Sequence, residues 1–247
     1  MKVLPKIWIF DTYSIMIFLG VIACFILFWQ YKKKYNLNEK YTFDIFILAC
    51  ISIIVGLGFA VGFQALFDLI KGEVRGSAMT FYGGLVGGVI TFLLGYFLVL
   101  KRIYKAAKFT QDILPIAPAC ITVAHAFGRV GCFMAGCCYG EKTDSFLAVV
   151  FPGMNYGVYP TQLFEAIFLF VLTAILFMIA IKKRWIHNLG LYLLSYGVFR
   201  FLIEFLRGDN RGGFILGLSP SQVFSILGAI ISVGLYLILK EKTKHNK

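Results

Sequence analysis

Two arginines of this chain lie inside apolar stretches long enough to cross a membrane. Arg129 stands in the run Phe-Gly-Arg-Val-Gly, and Arg200 stands in the run Val-Phe-Arg-Phe-Leu. An arginine at the depth of the hydrocarbon costs from about 2.5 to more than 10 kcal/mol, depending on how the cost is measured. A purely structural helix does not require this cost, so we expect both guanidinium groups to meet an anion. The most abundant anion at that depth is a phospholipid phosphate.

Polar side chains recur beside Arg200 at helical spacing. Tyr196, Arg200 and Glu204 follow one another at intervals of four residues, which places them on one face of a helix. Arg207 extends this face near the end of the same stretch. Arg200 and Glu204 are expected to pair, which lowers the cost of burying both. The alternative to a substrate site is an ion pair with a structural role alone.

A histidine accompanies the other arginine. His125 precedes Arg129 by four residues and shares its face if the helix is regular. A core histidine with one backbone partner is the ordinary interpretation of such a residue. In a later stretch, Thr161 is expected to cap the N-terminus of a helix, and Glu165 follows about one turn later.

Glycines cluster at two places. Gly83 and Gly84 begin a run that permits close helix packing, or that offers free N–H groups to an anion at a helix N-terminus. Gly128 and Gly140 bound a segment whose glycine density predicts irregular backbone. Irregular backbone at membrane depth is tolerated only where it is buried in protein or lines a cavity. We expect Arg129 to project into such a cavity.

The composition defines the fold class. Sixty per cent of the residues are hydrophobic and only 15% are charged, with a mean hydropathy of +0.82. A soluble protein of 247 residues cannot bury that much apolar surface. The sequence therefore predicts an all-α polytopic membrane protein whose residues 1–247 form a single integral domain. Seven spans are expected, at about residues 12–31, 43–70, 80–100, 112–134, 161–181, 188–206 and 218–239.

The basic residues predict the orientation. Most of the 24 lysines and arginines follow the first, third, fifth and seventh spans. By the positive-inside rule, the N-terminus lies outside and the C-terminus is cytoplasmic. The net charge of +12 is then a topology signal. We expect no nucleic-acid binding, because the charges are scattered over short loops without interleaved aromatic residues.

Three of the six cysteines form a cluster in the sequence. Cys132, Cys137 and Cys138 lack a second group of ligands at zinc spacing, so we expect neither a metal nor another cofactor. A disulfide among them requires that they face an oxidising compartment. We interpret this cluster as structural or redox-linked.

The motifs around these residues resemble those of the prolipoprotein diacylglyceryl transferases of bacteria. The segment that begins Gly128-Arg-Val-Gly-Cys-Phe and ends at Gly140 is similar to the family signature. The run Tyr-Pro-Thr-Gln-Leu-Phe-Glu, which ends at Glu165, also resembles a family motif. So does the segment from Tyr196 to Arg207, which includes Arg200 and Glu204. The resemblance covers nearly the whole chain.

This resemblance implies an activity and a location. The family moves a diacylglyceryl group from phosphatidylglycerol to the thiol of the lipobox cysteine in a prolipoprotein signal peptide. Glycerol 1-phosphate is released. A multi-pass enzyme of the bacterial plasma (inner) membrane, surrounded by lipid, is expected. The alternatives are a paralogue that uses the same donor with a different acceptor, or a phospholipid-binding membrane protein without catalysis.

The resemblance also implies roles for individual residues. Arg129 and Arg200 are expected to stabilise charge that develops on the donor phosphate. Tyr82 occupies the position of the family's usual histidine, and a phenol with an ordinary pKa of about 10 is a poor general base. His125 is the expected replacement, and Glu204 completes the catalytic set. The expected substrate-binding residues are Tyr13, Gly83, Gly84, Gly128, Gly140, Tyr196 and Arg207.

Overall fold

The computed structural model describes residues 6–7, 10–71, 81–106, 108–207 and 217–245. The part described is mainly helical, with a two-residue strand pair, Lys6–Ile7 with Phe10–Asp11, and a long non-helical segment between Met134 and Thr161 that contains isolated bridges. The predicted all-α class with seven spanning helices is confirmed. The spans are Thr12–Tyr35, Glu39–Leu66, Gly83–Ile103, Ala117–Met134, Thr161–Lys183, Asn188–Leu206 and Pro220–Lys240. The orientation in the membrane stays a prediction.

The residues described divide into two compact units. The first comprises Met1–Lys34 and Phe109–Lys247, and the second comprises Tyr35–Lys108. The single integral domain expected from the sequence stays a prediction. Helices of the first unit are α1 (Thr12–Tyr35), α5 (Phe109–Asp112), α6 (Ala117–Met134), α7 (Thr161–Lys183), α8 (Asn188–Ile203) and α9 (Pro220–His245). Those of the second are α2 (Glu39–Lys71), α3 (Phe81–Gly95) and α4 (Lys101–Ile103), with a π-helical turn at Tyr96–Leu100.

Glycines bring α2 and α3 together in the second unit. A Cβ on Gly83 would lie 2.8 Å from the Cβ of Phe63, and one on Gly84 would lie 3.2 Å from Ala60. Neither position has room for a larger side chain unless the helices move apart. Close helix packing, one of the two interpretations of this glycine run, is therefore what the second unit contains.

In the first unit, α6 packs against α7 and α8 packs against α9. Hydrogen bonds between buried polar groups cross these contacts, as is common between membrane helices. Thr173 donates to Thr122 across 2.9 Å, and Ser232 donates to the carbonyl of Gly190 across 2.7 Å. Gly131 lets α1 approach α6, since a Cβ there would lie 2.9 Å from the ring of Tyr13.

The end of α7 is tied to the short helix α5. Arg184 adopts a left-handed conformation with φ +48° and ends α7. Its Nη2 lies 2.8 Å from Oδ1 of Asp112, and its Nε donates to the carbonyl of Gln111. Tyr31 of α1 donates to the same carbonyl across 2.6 Å. These contacts fix three segments of the first unit at one end of its helices.

One local prediction around the signature is wrong, and the prediction of irregular backbone between Gly128 and Gly140 holds only for its second half. The backbone from Gly128 to Met134 is regular helix, and Gly131 within it leaves room for the ring of Tyr13 of α1. Irregular backbone begins only at Ala135. Thr161 does not cap α7: it is the first helical residue, and its hydroxyl donates to the carbonyl of Cys138 across 3.1 Å.

Candidate functional site

A buried carboxylate on α7 is the centre of the polar cluster in the first unit. Glu165 has no exposed surface, and its Oε1 lies 3.1 Å from Nε of Arg129. The hydroxyl of Tyr196 donates to the same oxygen across 2.7 Å. A buried charge is retained only when it is paired and hydrogen-bonded. Glu165 therefore compensates the guanidinium group whose burial was the first unusual feature of the sequence.

His125 belongs to the same cluster. Its Nε2 lies 3.3 Å from Nε of Arg129 and 3.5 Å from Oε1 of Glu165. Its ring packs edge-on against Tyr196, with the ring centroids 5.2 Å apart. The ordinary interpretation of His125 as a core residue with one backbone partner is wrong, because the contacts of its ring are with charged and aromatic side chains.

Arg129 keeps donors available. Its contacts to Glu165 and His125 both use Nε, and among the residues described its two terminal Nη groups have no hydrogen-bond partner. The side chain is 15% exposed. A hydrogen bond to a charged group is worth about 1.5–3 kcal/mol, so such donors favour an anionic acceptor. Among the residues described, the guanidinium group of Arg129 is therefore bound through Nε, and its two Nη groups can donate to a ligand.

Arg200 is engaged on both sides. Its Nη1 lies 2.7 Å from Oε2 of Glu204, which confirms the predicted pair, and its Nη2 donates to Ser221 across 2.9 Å. Ser219 donates to the other oxygen of Glu204 across 2.7 Å. Ser219 and Gln222 also form a reciprocal capping box at the start of α9. Arg200 is thus part of a network that joins α8 to α9.

The chain after α6 is held by side chains of α7 and by Arg207, which follows α8. The backbone turns at Gly136, with φ +67°, and at Cys138, with φ +64°. Gln162 donates to the carbonyl of Cys137 across 2.9 Å, and Arg207 donates to the carbonyl of Cys138 across 3.0 Å. These bonds fix the turn beside the cluster of Arg129.

The first unit contains most of the predicted site residues. Tyr13 is 41% exposed and packs on Gly131. A Cβ on Gly140 would overlap the carbonyl of Leu206 and lie 2.7 Å from Thr161, so this glycine is required for packing. Gly83 and Gly84 belong to the second unit, and their predicted role in lipid binding stays a prediction. The backbone of Tyr82 lies in α3, while its side chain is outside the described part of the chain.

Two residues at the centre of the site are not among the predicted site residues. The sequence places Glu165 a turn inside the fifth span without indicating a partner, and it does not single out Gln162. Both are fully buried. The signal that identifies them is the presence of polar residues inside an apolar span, since ionisable groups at membrane depth are usually functional.

Comparisons with known proteins agree with these motifs. A model of the prolipoprotein diacylglyceryl transferase family matches residues 3–238. A phosphatidylglycerol–prolipoprotein diacylglyceryl transferase of Clostridium tetani is 33% identical over 238 residues, covering 92% of each chain. The second such transferase of Clostridium perfringens is 33% identical over 243 residues, covering 94% of this chain and 91% of its own. One from Finegoldia magna is 30% identical and covers 93% of this chain and 90% of its own. The chain belongs to the prolipoprotein diacylglyceryl transferase family.

Proposed function

We propose that this chain transfers a diacylglyceryl group from phosphatidylglycerol to the lipobox cysteine thiol of a prolipoprotein, in the plasma membrane of a bacterium. The relatives named above carry this activity in their names. The single observation in the structure that supports it is the pair of unpartnered Nη groups on Arg129, among the residues described. They are donors for a phosphate at the depth of the spanning helices.

The proposed reaction is a displacement at carbon. The acceptor sulfur forms a bond to the glycerol carbon, and the bond from that carbon to the phosphate oxygen breaks. Its electron pair leaves with glycerol 1-phosphate, so negative charge increases on the phosphate. Hydrogen-bond donors that are already positioned stabilise such charge without reorganising. Arg129 supplies them, because its fork matches the geometry of a phosphate.

The other residues position this donor group. Glu165 fixes Nε of Arg129 and directs the Nη atoms away from itself. Tyr196 holds Glu165 in place through its hydroxyl. Arg200 adds positive charge, and its bonds to Glu204 and Ser221 keep the ends of α8 and α9 together. We assign a binding role to Arg129 and a positioning role to Glu165.

A thiol with an ordinary pKa of about 8.5 needs only modest activation to attack. His125 is the imidazole in the cluster, and its Nε2 faces Arg129 and Glu165. A general base must come within hydrogen-bond reach of the proton it removes. His125 remains the proposed base: in this role its Nε2 carries a proton towards Oε1 of Glu165, and its Nδ1 takes the proton of the acceptor thiol.

The test is transfer by the purified chain in vesicles that contain phosphatidylglycerol. One peptide carries a lipobox cysteine, and a matched peptide carries serine in its place. We expect the cysteine peptide to gain the mass of one diacylglyceryl group, while the serine peptide stays unchanged. Replacing phosphatidylglycerol by phosphatidylcholine tests the donor. Binding of phosphatidylglycerol without transfer to any cysteine peptide would contradict the proposal and favour a lipid-binding protein.

A further inference from the structure

The three cysteines that follow one another around the end of α6 converge in space. The Sγ atoms of Cys132, Cys137 and Cys138 all lie within 4.8 Å of one another. The turn at Gly136 and the left-handed conformation of Cys138 fold the chain back onto the last turn of α6. A left-handed non-glycine residue costs of order 1–3 kcal/mol and persists only where the surroundings impose it. Here the strained turn brings the second and third sulfur atoms to the first.

This spacing fits a thiophilic metal ion. Zinc binds thiolates at about 2.3 Å in a tetrahedron, which separates the sulfur atoms by about 3.8 Å. The three sulfurs can reach that spacing by shifts of about 1 Å, within the freedom of their side-chain torsions. A disulfide would use two of the three sulfurs and leave the third unpaired. The separation of the cysteines in the sequence gave no zinc pattern, since the turn that unites them is not visible in it.

Hydrogen bonds and a nearby positive charge would support such an ion at the three cysteines. Gln162, Thr161 and Arg207 hold the carbonyls of Cys137 and Cys138, so the ligand-bearing turn is fixed before any metal binds. Hydrogen bonds that orient ligand-bearing segments support metal sites of every kind. Three thiolates on one divalent ion carry a net negative charge. Arg129, which interacts electrostatically with this group of cysteines, favours that charge.

A tetrahedral ion held by these three sulfurs would keep a fourth coordination position, on the side where Cys137 is exposed. Cys137 is exposed, and with Cys138 it lines a cavity of about 700 Å³ that also borders Gly140, Glu141 and Tyr156. Zinc sites with three protein ligands and an open fourth position bind a substrate or water there. The turn that bears Cys137 and Cys138 is bonded to Gln162, one turn before Glu165 on α7, and so lies on the side of the Arg129 cluster. The fourth position therefore suits a ligand that must react near a bound phosphate.

We propose that Cys132, Cys137 and Cys138 bind one zinc ion, and that its open position takes the thiol of the acceptor peptide. The second half of this inference rests on the proposed function. Binding to zinc favours the thiolate form of a thiol, and the thiol proton passes to His125, the proposed base. The zinc-bound sulfur then donates its electron pair to the glycerol carbon, and the phosphate leaves with the electron pair of the broken carbon–oxygen bond. Neither step oxidises or reduces a group.

Cobalt(II) is the probe for the metal site, because it replaces zinc and absorbs visible light. The full chain is purified in detergent under reducing conditions and titrated with the metal alone. We expect about one ion per chain with a thiolate-to-cobalt absorption band, as three thiolate ligands predict. The band should be lost in Cys137→Ser and in Cys132→Ser. It should persist in Cys50→Ser, the matched control on α2 of the second unit.

Three results would overturn the metal site. The first is the absence of a thiolate band in the wild-type chain, and the second is a band unchanged in both Cys137→Ser and Cys132→Ser. The third is a count of reactive thiols, after denaturation without reductant, that reveals a disulfide among the three cysteines in freshly isolated protein. Because Cys137 is exposed, Cys137→Ser is expected to fold, and its elution as a single species checks this.

The acceptor half has its own readout. Adding the lipobox cysteine peptide to the cobalt-loaded chain should change the visible bands, and the serine peptide should leave them unchanged. Equal spectra with both peptides would overturn this half. Transfer that persists after chelation has removed the metal would also overturn it, while the proposed function would stand. A thiol-sensitive cobalt spectrum without any transfer would contradict the proposed function and leave the metal site intact.

Discussion

Glu165→Gln tests how far the site depends on one buried carboxylate. The amide keeps the shape of the side chain and still accepts the hydroxyl of Tyr196, but the charge opposite Arg129 disappears. Removing one partner of a buried ion pair typically costs 3–5 kcal/mol, because the other charge is left uncompensated. Arg129 is 15% exposed, so solvent screens part of this cost and the lower end, about 3 kcal/mol, applies. That free energy corresponds to roughly a 100-fold change.

The loss should fall on use of the lipid donor. Without Glu165, Arg129 reorients and its Nη atoms no longer face the phosphate, so we expect kcat/KM for phosphatidylglycerol to fall by roughly 100-fold. The assay is transfer to the cysteine peptide at varied mole fractions of phosphatidylglycerol in vesicles. The matched control is Asp144→Asn, which alters an exposed carboxylate outside the spanning helices and away from the cavity beside Cys137.

Two comparisons separate positioning from folding. Glu165→Gln should elute as a single species at the yield of Asp144→Asn, and its KM for the lipid should rise while the KM for the peptide changes little. A purely structural role would lower the folded fraction and leave both KM values unchanged. Transfer by folded Glu165→Gln at the rate of Asp144→Asn would refute the reasoning.

Three further predictions concern other groups. Arg129→Ala and Arg200→Ala should each abolish transfer without loss of membrane insertion. Lysine at either position should not restore transfer, because one ammonium group cannot bind all the acceptors that a planar guanidinium group binds. A lysine variant with wild-type transfer in the vesicle assay would contradict this. His125→Ala should lose at least about 100-fold in transfer if it is the base, and a rate near wild type would show that the thiol is deprotonated without it. The hydroxyl of Tyr104 donates to Oδ2 of Asp44 across 2.6 Å, and this bond, together with burial and the charge of Asp44, raises the pKa of Tyr104 to about 12. The difference in ultraviolet titration between wild type and Tyr104→Phe should therefore show ionisation of Tyr104 near pH 12. The contribution of this hydrogen bond to the stability of the folded chain is fully present below about pH 10 and is lost as the pH rises towards 12. Asp44→Asn should move the ionisation of Tyr104 towards about pH 10, and an unchanged titration would contradict the assigned cause.

Sequence patterns were sufficient for the membrane architecture. The seven spans follow from long apolar runs, because the hydrocarbon admits only helices whose backbone groups are satisfied internally. The pair of Arg200 and Glu204 also followed from the sequence, since a spacing of four residues puts both on one face of one helix. Both features depend on local sequence, which is why they were predictable.

The partner of Arg129 depended on tertiary packing. Arg129 lies on α6 and Glu165 on α7, and nothing in their sequence separation indicates that these faces meet. Glycine density predicted irregular backbone from Gly128 to Gly140, which holds only from Ala135 onwards; Gly131 lies in helix, where it leaves room for the ring of Tyr13. Helix propensity in isolation could not include that neighbour.

The convergence of the three cysteines was hidden for a related reason. Their positions are close in the sequence, but only the turn at Gly136 and Cys138 brings the sulfur atoms together. The hydrogen bonds from α7 that hold this turn come from residues more than twenty positions later. A pattern search over ligand spacing does not include such support.

The position of the donor phosphate is the most direct test of the account. A structure of the chain in a lipid nanodisc with bound phosphatidylglycerol would locate the phosphate relative to Arg129 and Glu165. We predict that phosphate oxygens lie within hydrogen-bond distance of both Nη atoms of Arg129, while its Nε remains on Glu165. A phosphate bound elsewhere in the chain, with the Nη atoms of Arg129 turned to protein groups, would contradict the central claim.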